Sequence, residues 1–155
     1  MSQSIILAAK RSSHPLFQDS HLPDAMLTVN GKPVIAHILD DLVDRDIRQV
    51  SIVIDENDEV TKRYIGTLNL SEIQLVVCTT AKSGTIVDSI ATGLAALGTV
   101  DESVLIYLGD TIAKDYLNLS EDALLVSRQY EESSNWCFVE VDGESQKFVD
   151  KPMQY

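Results

Sequence analysis

The chain has 155 residues, of which 45% are hydrophobic and 23% charged, a composition typical of one folded globular domain. Its formal net charge of -12 argues against nucleic acid as a partner, because proteins that bind nucleic acid place clustered Lys and Arg against the phosphates. No basic leader precedes the first apolar run and no stretch is long enough to span a bilayer, so we expect a cytoplasmic protein without membrane contact. Cys78 and Cys137 lack the spacing of a zinc site, and we expect both thiols to be reduced and buried.

The first two-thirds of the sequence alternates β-rich runs with helical patterns. We predict strands over residues 4–8, 50–54, 73–78 and 104–108, a short extended piece over 26–29, helices over 33–45 and 85–97, and a weaker helix within 55–68. Pro33 suits the first turn of one helix, and Gly98 supplies a stop for another. Strands that alternate with helices in this way predict an α/β fold, with a mostly parallel sheet covered by helices on both faces.

The last third of the sequence has a different pattern. Runs over residues 123–127, 136–141 and 147–149 are typical of strands, with a turn at Asp142-Gly143 and a short helix over 114–117. We therefore expect a β-rich C-terminal third whose antiparallel strands extend the sheet.

Three segments follow predicted parallel strands, at the edge where open α/β sheets bind their ligands: residues 9–27, 79–85 and 109–111. From this edge Asp110 could hold Mg²⁺ bound to the phosphates of a nucleotide, although an Asp that starts a turn is an equally good interpretation. Gly84 would allow a ligand to approach closely, whereas Ser83 or Thr85 can serve simply as a helix cap.

Taken in order, these segments resemble the sugar-1-phosphate nucleotidyltransferase family, whose members join a nucleoside triphosphate to a sugar phosphate and release pyrophosphate. The resemblance runs nearly end to end through IILAA, LTVNGKPVIAHILDDLVDRDIRQVSIVI, KSGTIVDSIATGL, LGD and FVDKP. It implies a Rossmann-like α/β fold of the nucleotide-diphospho-sugar transferase type, with Mg²⁺ held by Asp110. It also implies a nucleotide site formed by Leu7, Ala8, Ala9, Ser12, Ser13, Gly84 and Thr85.

The last of these motifs corresponds to the sugar-phosphate site of the family. Lys151 matches the lysine that faces the sugar phosphate, and Asp150 stands where a glutamate is usual. Without the resemblance, Lys151 would be interpreted as a strand-end lysine before a proline. Family members usually continue beyond the position of Tyr155, so we expect residues 1–155 to form a single domain that lacks the C-terminal sugar-site portion.

The first loop departs from the family pattern in residue type while keeping its spacing. Where the family has glycine, any residue, glycine, threonine and arginine, this chain has Lys10, Arg11, Ser12, Ser13 and His14. Asp24 stands in place of a lysine, so a carboxylate replaces a cation that would stabilise the charge of the reacting phosphates. The candidates for substitute positive charge, and hence for catalysis, are Lys10, Arg11 and His14.

Three hypotheses follow. The favoured one is a nucleotidyltransferase-like domain, related to enzymes that make nucleotide sugars, with weak or lost catalysis and a binding or regulatory role. The second is an active Mg²⁺-dependent sugar-1-phosphate nucleotidyltransferase of the pyrophosphorylase type, with a rearranged phosphate loop. The third is an ordinary doubly wound module such as a flavodoxin-like signalling domain, although a basic pair, Lys10-Arg11, stands where a receiver domain needs an acidic cluster.

The resemblance also indicates the partners of the chain. They are a nucleoside triphosphate or nucleotide sugar, a sugar phosphate and Mg²⁺. A homo-oligomer and a further fused domain both stay open, because nothing in the sequence locates an interface.

Overall fold

The computed structural model describes residues 3–10, 22–81, 84–100, 103–113, 137–143 and 145–150. The chain divides into two units, Met1–Asp115 and Tyr116–Tyr155. The expectation of a single domain over the whole chain stays a prediction.

In chain order the elements are β1 (Gln3–Leu7), a short 3₁₀ helix (Asp24–Met26), β2 (Thr28–Val29), β3 (Lys32–Pro33), α1 (Val34–Asp44), β4 (Gln49–Asp55), α2 (Glu59–Thr67), β5 (Gln74–Thr80), α3 (Ile86–Leu97), β6 (Leu105–Leu108), β7 (Cys137–Asp142) and β8 (Ser145–Asp150).

The first unit contains a four-stranded parallel sheet with the strand order β5-β4-β1-β6. With the right-handed crossovers that parallel strands almost always have, this order puts α1 and α2 on one face of the sheet and α3 on the other. Residues 50–55 of β4 are all buried, as expected for a central strand covered on both faces. The predicted fold class is therefore confirmed: an α/β fold with a mostly parallel sheet and helices on both faces.

Local signals explain where the helices begin and end. Pro33 precedes α1, and the buried side chains of α1 recur at helical spacing. Asp58 caps α2 by accepting a hydrogen bond from the Thr61 N–H at 2.9 Å. Gly98 ends α3 with a positive φ of 76°, which a residue without a side chain adopts easily. The four predicted parallel strands and the helices predicted over 33–45 and 85–97 agree with the observed elements to within two residues at each end, and α2 lies within 55–68 as expected.

The extended piece predicted over residues 26–29 is partly wrong. Met26 belongs to the 3₁₀ helix, and only Thr28–Val29 forms a strand. This strand pairs antiparallel with β3 through a two-residue turn at Asn30 and Gly31, whose φ angles of 52° and 77° are both positive. Asn-Gly is the strongest short sequence signal for such a hairpin, which explains why the extended piece is one strand of a hairpin that turns after Val29.

In the second unit, β7 and β8 form an antiparallel hairpin, so the predicted antiparallel strands are confirmed there. Their extension of the parallel sheet stays a prediction. The predicted turn is confirmed at Gly143, which has a φ of 59°. The helix predicted over 114–117 and the strand predicted over 123–127 lie outside the described residues.

Both cysteines are free, as expected, but the prediction that both are buried was wrong. Cys78 is half-buried because β5 lies at the edge of the sheet, and Cys137 on β7 is exposed. Among the described residues, no helix is both long and apolar enough to cross a membrane.

Candidate functional site

The candidate site lies where the strand order of the sheet reverses. From β1 the chain continues to β4 and β5 on one side, and β6 is added on the other side. Open α/β sheets bind their ligands in the crevice beyond the carboxyl ends of the strands at such a point. Here β1 and β6 are paired up to Leu7 and Leu108, so the residues that follow these two strands meet at one edge.

Gly109 brings the ends of β1 and β6 into close contact. Its N–H donates a hydrogen bond of 2.8 Å to the carbonyl oxygen of Leu7. A Cβ atom at this position would lie 2.8 Å from the Cα atom of Ala8 and from the Leu7 carbonyl oxygen, closer than real Cβ atoms come. Glycine is therefore required here, and its close approach fixes Asp110 beside the end of β1.

An ion pair links the two strand ends. The Nζ atom of Lys10 lies 3.0 Å from Oδ2 of Asp110, and Oδ1 of the same carboxylate accepts a hydrogen bond from the Thr111 hydroxyl at 3.1 Å. The side chains of Lys10 and Asp110 are 72% and 29% exposed. An ion pair with this exposure contributes only about 0–1 kcal/mol to stability. Its members can therefore exchange partners with a ligand at little cost.

Two carboxylates influence the charge of Lys10. Partial burial lowers the pKa of Lys10, but its hydrogen bond to Asp110 and the negative charges of Asp110 and Asp24 outweigh that effect, so the pKa is raised above its usual value. Asp24 itself is only 5% exposed, and its N–H donates a hydrogen bond of 3.3 Å to the Lys10 carbonyl oxygen. Among the described residues, the edge therefore carries the Lys10 ammonium, which stays protonated at neutral pH, with Asp110 and Asp24 near it.

Gly84 and Thr85 lie beyond the carboxyl end of β5 and are used to start α3. The Gly84 N–H donates a hydrogen bond of 2.8 Å to the Ala81 carbonyl oxygen. Thr85 and Asp88 form a capping box, in which the Thr85 hydroxyl accepts a hydrogen bond from the Asp88 N–H and the Thr85 N–H donates one to Oδ2 of Asp88. The hydrogen bonds that the Thr85 N–H and the Thr85 hydroxyl donate to Oδ2 lower the pKa of Asp88. The capping interpretation of Thr85 is confirmed.

The predicted nucleotide-binding residues at the end of β1 also make hydrogen bonds within the sheet. The Ala8 N–H donates one of 2.8 Å to the Val53 carbonyl oxygen, and Leu7 accepts one from Gly109. The nucleotide-binding role of Leu7, Ala8 and Ala9 stays a prediction. Among the predicted site residues in the described part, Lys10 is the one that offers a positive charge.

Several predicted site residues lie outside the part of the chain that the structure describes: Arg11, Ser12, Ser13, His14 and Lys151. Asp150 is the last residue of β8 in the second unit. The roles assigned to these residues stay predictions.

The ion pair with Lys10 does not leave the Asp110 carboxylate open to a Mg²⁺ ion. Within the ranges that the structure describes, no three His, Cys, Asp or Glu side chains come together. The Lys10 ammonium contacts the Asp110 carboxylate, where it repels a divalent cation. Asp110 as a magnesium ligand stays a prediction, and it requires Lys10 to move away.

Sequence reasoning did not anticipate the contact between Lys10 and Asp110. Each residue follows a predicted parallel strand, which was the available signal. Their proximity depends on β1 and β6 being neighbours, and the strand order is not encoded in either segment alone.

Comparison with known proteins bears on the family of the chain. A family model, the MobA-like NTP transferase domain, matches residues 4–142. Among solved structures, a UDP-glucose pyrophosphorylase complexed with UDP-glucose is similar with a TM-score of 0.72 and 18% identity, over 98% of this chain and 69% of that chain. Rv0371c from Mycobacterium tuberculosis H37Rv is similar with a TM-score of 0.50 and 18% identity, over 70% of this chain and 51% of that chain. None of the curated proteins compared with the chain matches it.

At 18% identity the structural likenesses show a shared fold. The family model reaches further, because it covers most of the chain, including β1, β6 and the strand edge between them. The resemblance to nucleotidyltransferases noted in the sequence is thereby confirmed, and the chain belongs to the family of MobA-like NTP transferase domains.

Proposed function

We propose that the chain is a nucleotidyltransferase-like domain that binds a nucleoside triphosphate or a nucleotide sugar at the Lys10–Asp110 edge, with weak or lost catalysis. The role of such a domain is binding or regulation. Its relatives are enzymes that make nucleotide sugars from a nucleoside triphosphate and a sugar 1-phosphate. The ion pair between Lys10 and Asp110 at the point where the strand order reverses is the observation that carries this proposal.

Nucleotide binding is supported by the position of the edge and by its charge. The edge lies where doubly wound sheets bind nucleotides. The exposed Lys10 ammonium can donate hydrogen bonds to phosphate oxygens, and such charge-assisted bonds are the strong ones in proteins. The similar UDP-glucose pyrophosphorylase was solved with UDP-glucose.

Weak catalysis is supported by the acidic residues around Lys10. Attack on a phosphoryl group builds up negative charge, which catalysts of this chemistry stabilise with cations. Here Asp110 already pairs with the ammonium, and the buried Asp24 adds a negative charge near it. Losing one stabilising contact of this kind commonly costs about 10²- to 10³-fold in rate.

A second candidate is an active sugar-1-phosphate nucleotidyltransferase with a rearranged phosphate loop. The exposure of the Lys10 side chain favours it, because the ammonium could turn from Asp110 to the reacting phosphate. In this case Arg11 and His14 would add positive charge to the same loop. Both candidates bind a nucleotide, so only a measurement of turnover separates them.

Ligand-observed NMR on the full chain tests the shared part of these proposals. The nucleotide panel consists of ATP, CTP, GTP, UTP and UDP-glucose, each with and without Mg²⁺. We expect saturable binding of at least one member and loss of that binding in Lys10→Glu, which reverses the charge at the edge. Lys62→Glu is the matched control, because Lys62 is an exposed, ion-paired lysine on α2. Absence of binding across the panel would refute the proposal.

The same proposal includes a sugar phosphate as the second ligand, with Asp150 and Lys151 as its candidate residues. Glucose 1-phosphate added to the nucleotide panel tests this step. If the protein chemical shifts that change on adding glucose 1-phosphate are confined to residues of the first unit, that result would count against a role for Asp150 and Lys151.

A further inference from the structure

Building on the proposed function, we infer that the Lys10 ammonium takes the place of a divalent cation, so that it bridges Asp110 and a phosphate group of the nucleotide and binding needs no Mg²⁺. Lys10 then has a binding role that does not depend on turnover.

The hydrogen-bond donors of Lys10 suit this bridging role. An ammonium group has three N–H donors. One donates to Oδ2 of Asp110 at 3.0 Å, the single hydrogen bond that the described residues give to Nζ of Lys10. The side chain is 72% exposed, so the other donors face solvent at the edge where a ligand would lie. One group can therefore contact the carboxylate and a phosphate oxygen together.

This is the connection that a metal ion makes in many phosphate sites. Mg²⁺ is commonly held by one or two carboxylates and by the phosphate oxygens of the substrate. Lys10 already stands against the carboxylate, and the close approach of Gly109 to Ala8 fixes the distance between the two strand ends. A metal ion at Asp110 would first have to displace the ammonium, which repels it.

The charge balance limits which phosphate group fits. A single ammonium brings less positive charge than a divalent ion, and the negative charge of Asp24 lies near it. The edge therefore favours a ligand with fewer negative charges, which means the diphosphate of a nucleotide sugar over the triphosphate of a nucleoside triphosphate. A phosphate group held in this way is bound without being strongly activated for transfer.

Isothermal titration calorimetry of the full chain with the nucleotide panel, in EDTA and in Mg²⁺, tests the inference. We expect the wild-type chain to bind in EDTA, with a dissociation constant within about threefold of that in Mg²⁺. Lys10→Ala should weaken binding in EDTA by about 10- to 100-fold, because a charge-assisted hydrogen bond is lost. Adding Mg²⁺ should restore part of this loss in Lys10→Ala alone, because the Asp110 carboxylate is then open.

Lys62→Ala is the control and should bind like the wild-type chain in both buffers. The melting temperature of Lys10→Ala should match that of the wild-type chain, since the ion pair it removes is exposed. Wild-type binding that requires Mg²⁺, or undiminished binding by Lys10→Ala in EDTA, would overturn the inference and leave the proposed function intact. If no panel member binds in either buffer, the proposed function fails and the inference fails with it.

Discussion

Gly93 marks the closest approach of α3 to the parallel sheet. A Cβ atom at this position would lie 2.5 Å from Cγ2 of Ile5, 3.1 Å from the Ser51 hydroxyl and 3.2 Å from Cγ2 of Val53. All three neighbours are fully buried in β1 and β4. Gly66 on α2 is the matched case, because nothing lies within 4 Å of the corresponding position. The same substitution at these two helical glycines should therefore change stability in opposite directions.

The magnitudes follow from two opposing effects. Alanine is favoured over glycine inside a helix by up to about 1 kcal/mol. Overpacking a core costs about 1–3 kcal/mol, and a contact of 2.5 Å is about 1 Å shorter than the ordinary separation, which puts Gly93→Ala at the upper end. The net loss is about 2 kcal/mol, which lowers Tm by about 4–8 °C in a chain of this size. Gly66→Ala should gain about 0.5–1 kcal/mol.

Thermal and urea denaturation followed by circular dichroism measure both variants. Unchanged m-values would show that the two substitutions change stability without changing the surface exposed on unfolding. The reasoning would be refuted if Gly93→Ala were as stable as Gly66→Ala, because α3 would then not rest on β1 and β4 at this distance.

Four further outcomes are expected. Gly109→Ala would place a Cβ atom against the backbone of β1, so it should lower stability by about 1–3 kcal/mol in a urea titration and weaken nucleotide binding measured by calorimetry. Thr85→Ala removes the cap of α3 and should cost about 1 kcal/mol of unfolding free energy, whereas Thr85→Ser should retain most of it. Hydrogen bonds from Thr85 lower the pKa of Asp88, so the stability difference between the wild-type chain and Asp88→Ala is present above pH 3.8 and should shrink as the pH falls below that value. Burial raises the pKa of Cys78, so exposed Cys137 should react with a thiol reagent about 10-fold faster, a result that single-cysteine variants would check.

Much of the fold was predictable because its signals are local. Pro33 and the apolar spacing behind it predict α1, and Gly98 predicts the end of α3. The hairpin of β2 and β3 also has a local signal in Asn30-Gly31, although its two-residue strands are too short to show an alternating pattern.

The candidate site was less predictable because it depends on strand order. Lys10 and Asp110 are both strand-end residues in the sequence, but their contact exists only because β6 pairs with β1 rather than with β5. The exposure of Cys78 has the same origin, since β5 lies at the edge of the sheet. Local patterns identify strands, whereas the neighbours of each strand are set by packing across the whole unit.

In the proposed function, this strand edge holds a nucleotide without efficiently transferring its nucleotidyl group. Pyrophosphate release by the full chain, supplied with each nucleoside triphosphate, glucose 1-phosphate and Mg²⁺, measures this most directly. We predict no saturable release at concentrations where the same nucleotide binds. Saturable, Mg²⁺-dependent release that Asp110→Ala abolishes would contradict the claim and identify the chain as an active transferase.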